Sequence, residues 1–167
     1  MRLSHNVPVA HDLERALPHD PDLEADEDAE GRPLPVHLTP HLMALVFVGG
    51  TIGVLIRALL DNLSPTGSGL IVTTLLINVI GALALAILIE VLALRGEDAG
   101  HRRRLRLLLG TGLLGGFTTY SALAAQTSAL ARQGDAATAV LYAGGTVVAG
   151  FVASVGGILV TRRGLTQ

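Results

Sequence analysis

Gly115-Gly116-Phe117-Thr118-Thr119-Tyr120-Ser121 lies in the middle of a long apolar segment. Paired glycines followed by paired threonines are poor helix formers, yet apolar sequence of helical length flanks them on both sides. In lipid, loosened backbone persists only where protein or an ion satisfies its amides and carbonyls. Two readings follow: a glycine kink that lets helices pack closely, or a broken helix with polar work to do. The hydroxyl and phenol groups that run from Thr118 to Ser121 favour the second, as part of a permeation or ion-binding site.

Around that stretch, the 167 residues are half apolar, but the apolar residues are not spread as a soluble core requires. They gather into four runs, roughly 41–60, 70–94, 105–131 and 138–161, each near or above the ~20 residues a helix needs to cross a bilayer. Polar connections of Asp61 to Gly69, Arg95 to Arg104 and Arg132 to Asp135 separate them. A soluble bundle would carry a charged face on every helix, and these runs do not. The fold class expected is therefore an all-α integral membrane protein of four transmembrane helices, the third one broken. Small residues recur in the spans, among them Gly49, Gly50, Gly53, Gly81, Gly144 and Gly145. They let helices approach where lipid offers no hydrophobic drive for association. Four such helices make a thin bundle, so a dimer is expected.

The chain has no Cys, which excludes disulfides, thiolate metal sites and a Cys nucleophile. Every basic residue is Arg, and the net charge of -2 conceals two opposite halves. Residues 1–37 hold nine acids against Arg2, Arg15 and Arg32, with Pro18, Pro21, Pro33 and Pro35 among their prolines and the acidic run Glu24 to Glu30. So little apolar surface there predicts a disordered tail, followed by a transmembrane domain over 38–167. Its scattered His5, His11 and His19 are not read as a metal site, and no nucleic-acid partner is expected. Four spans place the N-terminus, the 95–104 connection and the C-terminus on one side. That side carries Arg95, Arg102, Arg103, Arg104, Arg106, Arg162 and Arg163, against Arg132 and Arg57 opposite. The positive-inside rule then makes both termini and the acidic tail cytoplasmic, in a multi-pass protein of the cell (plasma) membrane.

Inside the spans, each polar group admits a packing role and a functional one. Arg57 is costly in a membrane unless it snorkels, pairs or faces water; it could reach headgroups or give a vestibule a fixed positive charge. Asn78, with Thr74 four residues before it on the same helical face, makes a polar stripe that serves either as interhelical glue or as a path. Tyr142 and Thr146 repeat that spacing in the fourth span. Glu90, ending the second span, reads as an interfacial carboxylate near Arg95.

Taken together, Gly49-Gly50 to Arg57, Thr74 to Gly81, Gly115 to Ser121 and Tyr142 to Thr146 resemble the Fluc/CrcB fluoride channels, one motif per span in the family's order, over roughly 45–162. The resemblance implies passive, fluoride-selective export that protects the cytoplasm, by dimers of antiparallel subunits with two pores and a structural sodium ion (Na+) at the dimer centre. It implies that backbone carbonyls of Gly115 and Thr118 hold the sodium. Asn78 would donate to fluoride, with Thr74 on the same track; Arg57 would supply vestibule potential; Ser121, Tyr142 and Thr146 would line the path. Two third-span positions where the family usually has Phe are here Tyr120, which keeps an aromatic edge on the fluoride pathway, and Leu123, which has none. The arginine bias also commits this chain to one orientation, so pairing with a related subunit of opposite topology is a further expectation.

Other classes are weaker matches. A four-span proton-coupled exporter of the small multidrug type needs a carboxylate in the first span, which has none. A non-conducting structural subunit of a heterodimeric channel would explain Leu123. Enzymatic activity is not expected, because no intramembrane nucleophile–base pair occurs and His101 sits in a charged loop.

Overall fold

The computed structural model describes residues 26–27, 33–34, 39–65 and 68–165. The expectation of a disordered acidic tail falls on residues outside these, except for a two-residue antiparallel pairing of β1 (Asp26–Glu27) with β2 (Pro33–Leu34). The rest is helical. The first span is α1 (Pro40–Leu63) and the second α2 (Ser68–Leu94). The third is built in pieces: α3 (Gly100–Leu105), a π-helical run (Arg106–Leu114), α4 (Gly115–Phe117) and, after a break, α5 (Tyr120–Arg132). The fourth is α6 (Ala136–Leu165). All four spans are long and apolar enough to cross a membrane.

Local chemistry sets the ends. Pro40, which has no N–H to lose, opens α1. Gly134 (φ 86) takes the left-handed conformation that ends α5, and Asp135 N–H closes back to the Leu130 carbonyl at 3.1 Å. Asp135 then caps α6, its Oδ1 accepting from the Thr138 N–H at 3.1 Å. The connection expected from Arg95 to Arg104 is shorter than its composition indicates, because Gly100 already starts α3 and the arginines that follow are helical.

Large apolar side chains such as Phe47, Leu63, Leu141 and Phe151 face outward, the inverse of a water-soluble bundle. The interior is narrow, with Leu42, Ile77, Leu107, Leu123 and Tyr142 in it. The spans pack in two pairs, α1 against the π-helical run and α4, and α2 against α6, with α5 also lying on α6. The first pair is in backbone contact. A Cβ on Gly49 or Gly53 would strike backbone atoms of 108 and 113, and one on Gly116 would lie 2.5 Å from the Gly50 carbonyl oxygen. Glycine on both faces removes that obstruction. The break in the third span lies where the two helix pairs meet.

Candidate functional site at the break in the third span

The interruption is real, but it is displaced from the glycines. Gly115 and Gly116 are helical; the backbone extends at Thr118 (φ -74, ψ 157) and Thr119 (φ -148, ψ 121). Two consecutive β-branched residues favour extended backbone, and their hydroxyls compete for the helix's own hydrogen bonds. Thr118 Oγ1 donates to the Leu114 carbonyl at 2.9 Å. Thr119 Oγ1 accepts from the Ala122 N–H at 3.2 Å, as the N-cap of α5. Gly116 instead serves the close crossing with α1.

Breaking a helix frees peptide groups, and side chains from both helix pairs reach in for them. Asn78 of α2 makes a two-point bond with the Thr119 peptide: Nδ2 donates to the Thr119 carbonyl at 3.0 Å, and Oδ1 accepts from the Thr119 N–H at 2.8 Å. Its amide thus pairs with Thr119 as a neighbouring β-strand would. Arg57 of α1 donates through Nε to the Gly116 carbonyl at 3.3 Å. Among the described residues, no donor closes on the carbonyls of Gly115 or Thr118, the two oxygens that the family resemblance assigns to a cation. Gly115 is exposed on the protomer surface. Neutral carbonyl oxygens freed by a helix break are the ligands a hard monovalent cation takes in membrane proteins, so this donor set fits sodium.

Beside the break, Asn78, Thr118, Thr119, Tyr120, Leu123 and Thr146 line a cavity of about 320 Å³. Asn78, Tyr120 and Thr146 therefore share one space. Tyr120 is 82 % exposed, its ring standing outside the protomer's own packing, whereas Leu123 is buried at 7 %. Ser121 lies one step away, its hydroxyl 3.2 Å from Thr119 Oγ1. Thr74 and Tyr142 belong to a second, neighbouring group centred on Gln126. Gln126 Nε2 donates to Thr74 Oγ1 at 3.0 Å, and the Tyr142 hydroxyl donates to Gln126 Oε1 at 2.5 Å. Thr146 Oγ1 in turn bonds the Tyr142 carbonyl at 2.7 Å. The stripes Thr74/Asn78 and Tyr142/Thr146 thus face each other across α5. Sequence reasoning missed Gln126; its signal was being the only amide in α5, aligned one turn after Ala122 and one before Leu130. Glu90 pairs not with Arg95 but with Arg162 Nε at 2.7 Å, because α2 and α6 lie side by side and end together.

Chemically, the site offers hydroxyls, one amide N–H not spent on Thr119, and an aromatic edge, with Arg57 held at the far side of the break. Among the described residues, no group of His, Cys, Asp or Glu is gathered as a metal site. Such a lining can replace an anion's water without trapping it.

A family model described as "CrcB-like protein, Camphor Resistance (CrcB)" matches residues 44–158. The chain is 48% identical over 137 residues to a protein named fluoride-specific ion channel FluC 2 of Leifsonia xyli, covering 79% of this chain and 94% of that one. It is 45% identical over 112 residues to FluC 1 of Cutibacterium acnes, covering 66% and 78%. Over 123 residues it is 38% identical to FluC of Novosphingobium aromaticivorans, covering 71% and 94%. The matched region runs from within the first span to within the fourth and includes the break.

Proposed function

This chain belongs to the CrcB family, and from that membership we propose that it forms a fluoride-selective channel through which the anion leaves the cytoplasm passively. The observation that carries the proposal is the Thr118–Thr119 break, braced by Asn78 and opening on a cavity lined by Asn78, Tyr120 and Thr146. Fluoride is small and strongly hydrated, so a pore must offer hydrogen-bond donors in place of water, yet no site so deep that the ion cannot leave. Hydroxyl and amide groups meet both demands, and an aromatic ring adds an electropositive edge. Arg57 contributes positive potential from a position anchored on the Gly116 carbonyl.

The working unit is an antiparallel dimer. The exposure of Tyr120 supports this, since an aromatic ring beside a polar cavity gains its surroundings only from a second subunit. The freed carbonyls of Gly115 and Thr118 would hold a sodium ion at the dimer centre, which would supply fixed positive charge there. The arginine excess on one side sets both termini in the cytoplasm and makes the partner a related subunit inserted the opposite way. Its third span would supply the aromatic edge that Leu123 lacks.

Fluoride efflux from liposomes tests the reading. Vesicles holding this chain with its opposite-topology relative should release fluoride and retain chloride, and Asn78→Ala should abolish the release. Vesicles that stay impermeant with both subunits present, or that pass chloride equally, refute it. If this chain conducts fully alone with its termini on both sides of the membrane, the heterodimer is wrong while the channel stands.

A further inference from the structure

Away from the break, at the end of the bundle where α2 passes into the third span, lies a cavity of about 420 Å³ with two unlike walls. One wall is apolar: Ile89, Leu92 and Ala93 from the last turns of α2. The other carries Asp98, Arg102 and Arg106. Arg106 Nε meets Asp98 Oδ2 at 2.7 Å, so the single carboxylate in the cavity is already neutralised. Arg102 Nε donates to the Glu97 carbonyl at 2.7 Å, which anchors the guanidinium at its root and leaves the terminal nitrogens to the cavity. Arg103 is buried beneath, its Nε on the Asp98 carbonyl at 3.0 Å. The loop thus spends its own carbonyls on aiming arginines.

We propose that this cavity binds an anionic phospholipid, with its phosphate on Arg102 and its glycerol and upper acyl chain along Ile89, Leu92 and Ala93. The placement favours this ligand: the cavity sits at the ends of two spans, at the level of the headgroups. Residues 95–106 carry five arginines against Glu97 and Asp98, the basic juxtamembrane pattern that attracts anionic lipid. A free anion would have no use for the apolar wall. The chain's own acidic run, Glu24-Ala25-Asp26-Glu27-Asp28-Ala29-Glu30, has only alanine to offer that wall.

The test is lipid retention by the purified full-length protein in neutral detergent, read by native mass spectrometry after addition of phosphatidylglycerol or phosphatidylcholine. Phosphatidylglycerol should be retained in preference. Arg102→Gln should weaken its retention about fivefold, the contribution of one arginine at a charged surface. Ala93→Trp, which fills the apolar wall without touching charge, should weaken it too, whereas Arg104→Gln, outside the cavity, should not. Three results overturn the proposal: equal retention of the two lipids; equal losses in Arg102→Gln and Arg104→Gln; or displacement of the lipid by millimolar inorganic phosphate, which would make the site one for a free anion. Retention that appears only once Glu24, Asp26, Glu27 and Asp28 are changed to amides would assign the arginines to the acidic run, and overturns it as well.

Discussion

Replacing Asn78 with leucine removes the two-point bond to Thr119 while nearly preserving volume. Hydrogen bonds between membrane helices average about 0.6 kcal/mol, with a maximum near 1.7, so the pair alone is worth about 1–3 kcal/mol. Orphaning the N–H and C=O of the buried Thr119 pushes the cost toward the upper end, since each unmet polar group costs about 1–3 kcal/mol. We therefore predict a destabilisation of about 2–3 kcal/mol for Asn78→Leu, measured by reversible unfolding in mixed micelles, with fluoride efflux lost. Asn78→Asp keeps an acceptor for the Thr119 N–H at 2.8 Å but sets an oxygen against the Thr119 carbonyl, where Nδ2 now donates at 3.0 Å. It should be destabilised as well, so the donor half of the bond is tested separately. If Asn78→Leu unfolds like the unaltered protein and still conducts, the bracing role is refuted. If it keeps its stability but loses fluoride flux, Asn78 acts on the ion and not on the break.

Gly116→Ala should cost about 1–3 kcal/mol by overpacking, because its new Cβ would lie 2.5 Å from the Gly50 carbonyl oxygen; Gly144→Ala, with nothing within 4 Å, should leave protomer unfolding unchanged. Gln126→Leu unties Thr74 from Tyr142; unfolding should show a loss of about 1–2 kcal/mol for two side-chain bonds, and liposome efflux should slow. At Asp135, the hydroxyl of Thr138, and then its backbone N–H, hold the carboxyl below its ordinary value. A depressed carboxyl stabilises the fold fully above its unfolded pKa, about 3.9, and the gain disappears as pH falls through the lower folded value. Asp135→Asn should flatten that acid dependence in pH-resolved unfolding.

The four spans were legible because lipid imposes a simple rule on length and polarity, and each observed span contains its predicted run. The polar stripes were legible too, since four-residue spacing fixes a shared face whatever the helix packs against. The location of the break was harder to read. Gly115 and Gly116 advertise flexibility, but both remain helical, and Gly116 packs against the backbone of α1; the β-branched threonines beside them give way instead. Pairing across spans was out of reach, because nothing local to Glu90 says that Arg162 ends beside it. The role of Gln126 likewise depends on the meeting of three helices. Asn78 was identified as a polar intruder, while its bond to Thr119 required knowing where the third span opens.

The π-helical run over 106–114 has a consequence for how this chain tolerates change in length. Its amides reach one residue further back than in an α-helix, as with the Gly115 N–H on the Gly110 carbonyl; such widening is a way for a helix to absorb a surplus residue while its flanks stay put. Removing one residue from a regular span rotates everything downstream by about 100°, since an α-helix has 3.6 residues per turn. Here the same deletion could be healed by tightening the coil, leaving the threonines and the arginine-rich end in their original orientations. Descendants of this sequence that differ by a single gap should therefore carry it between Arg106 and Leu114 more readily than in any other membrane-crossing stretch.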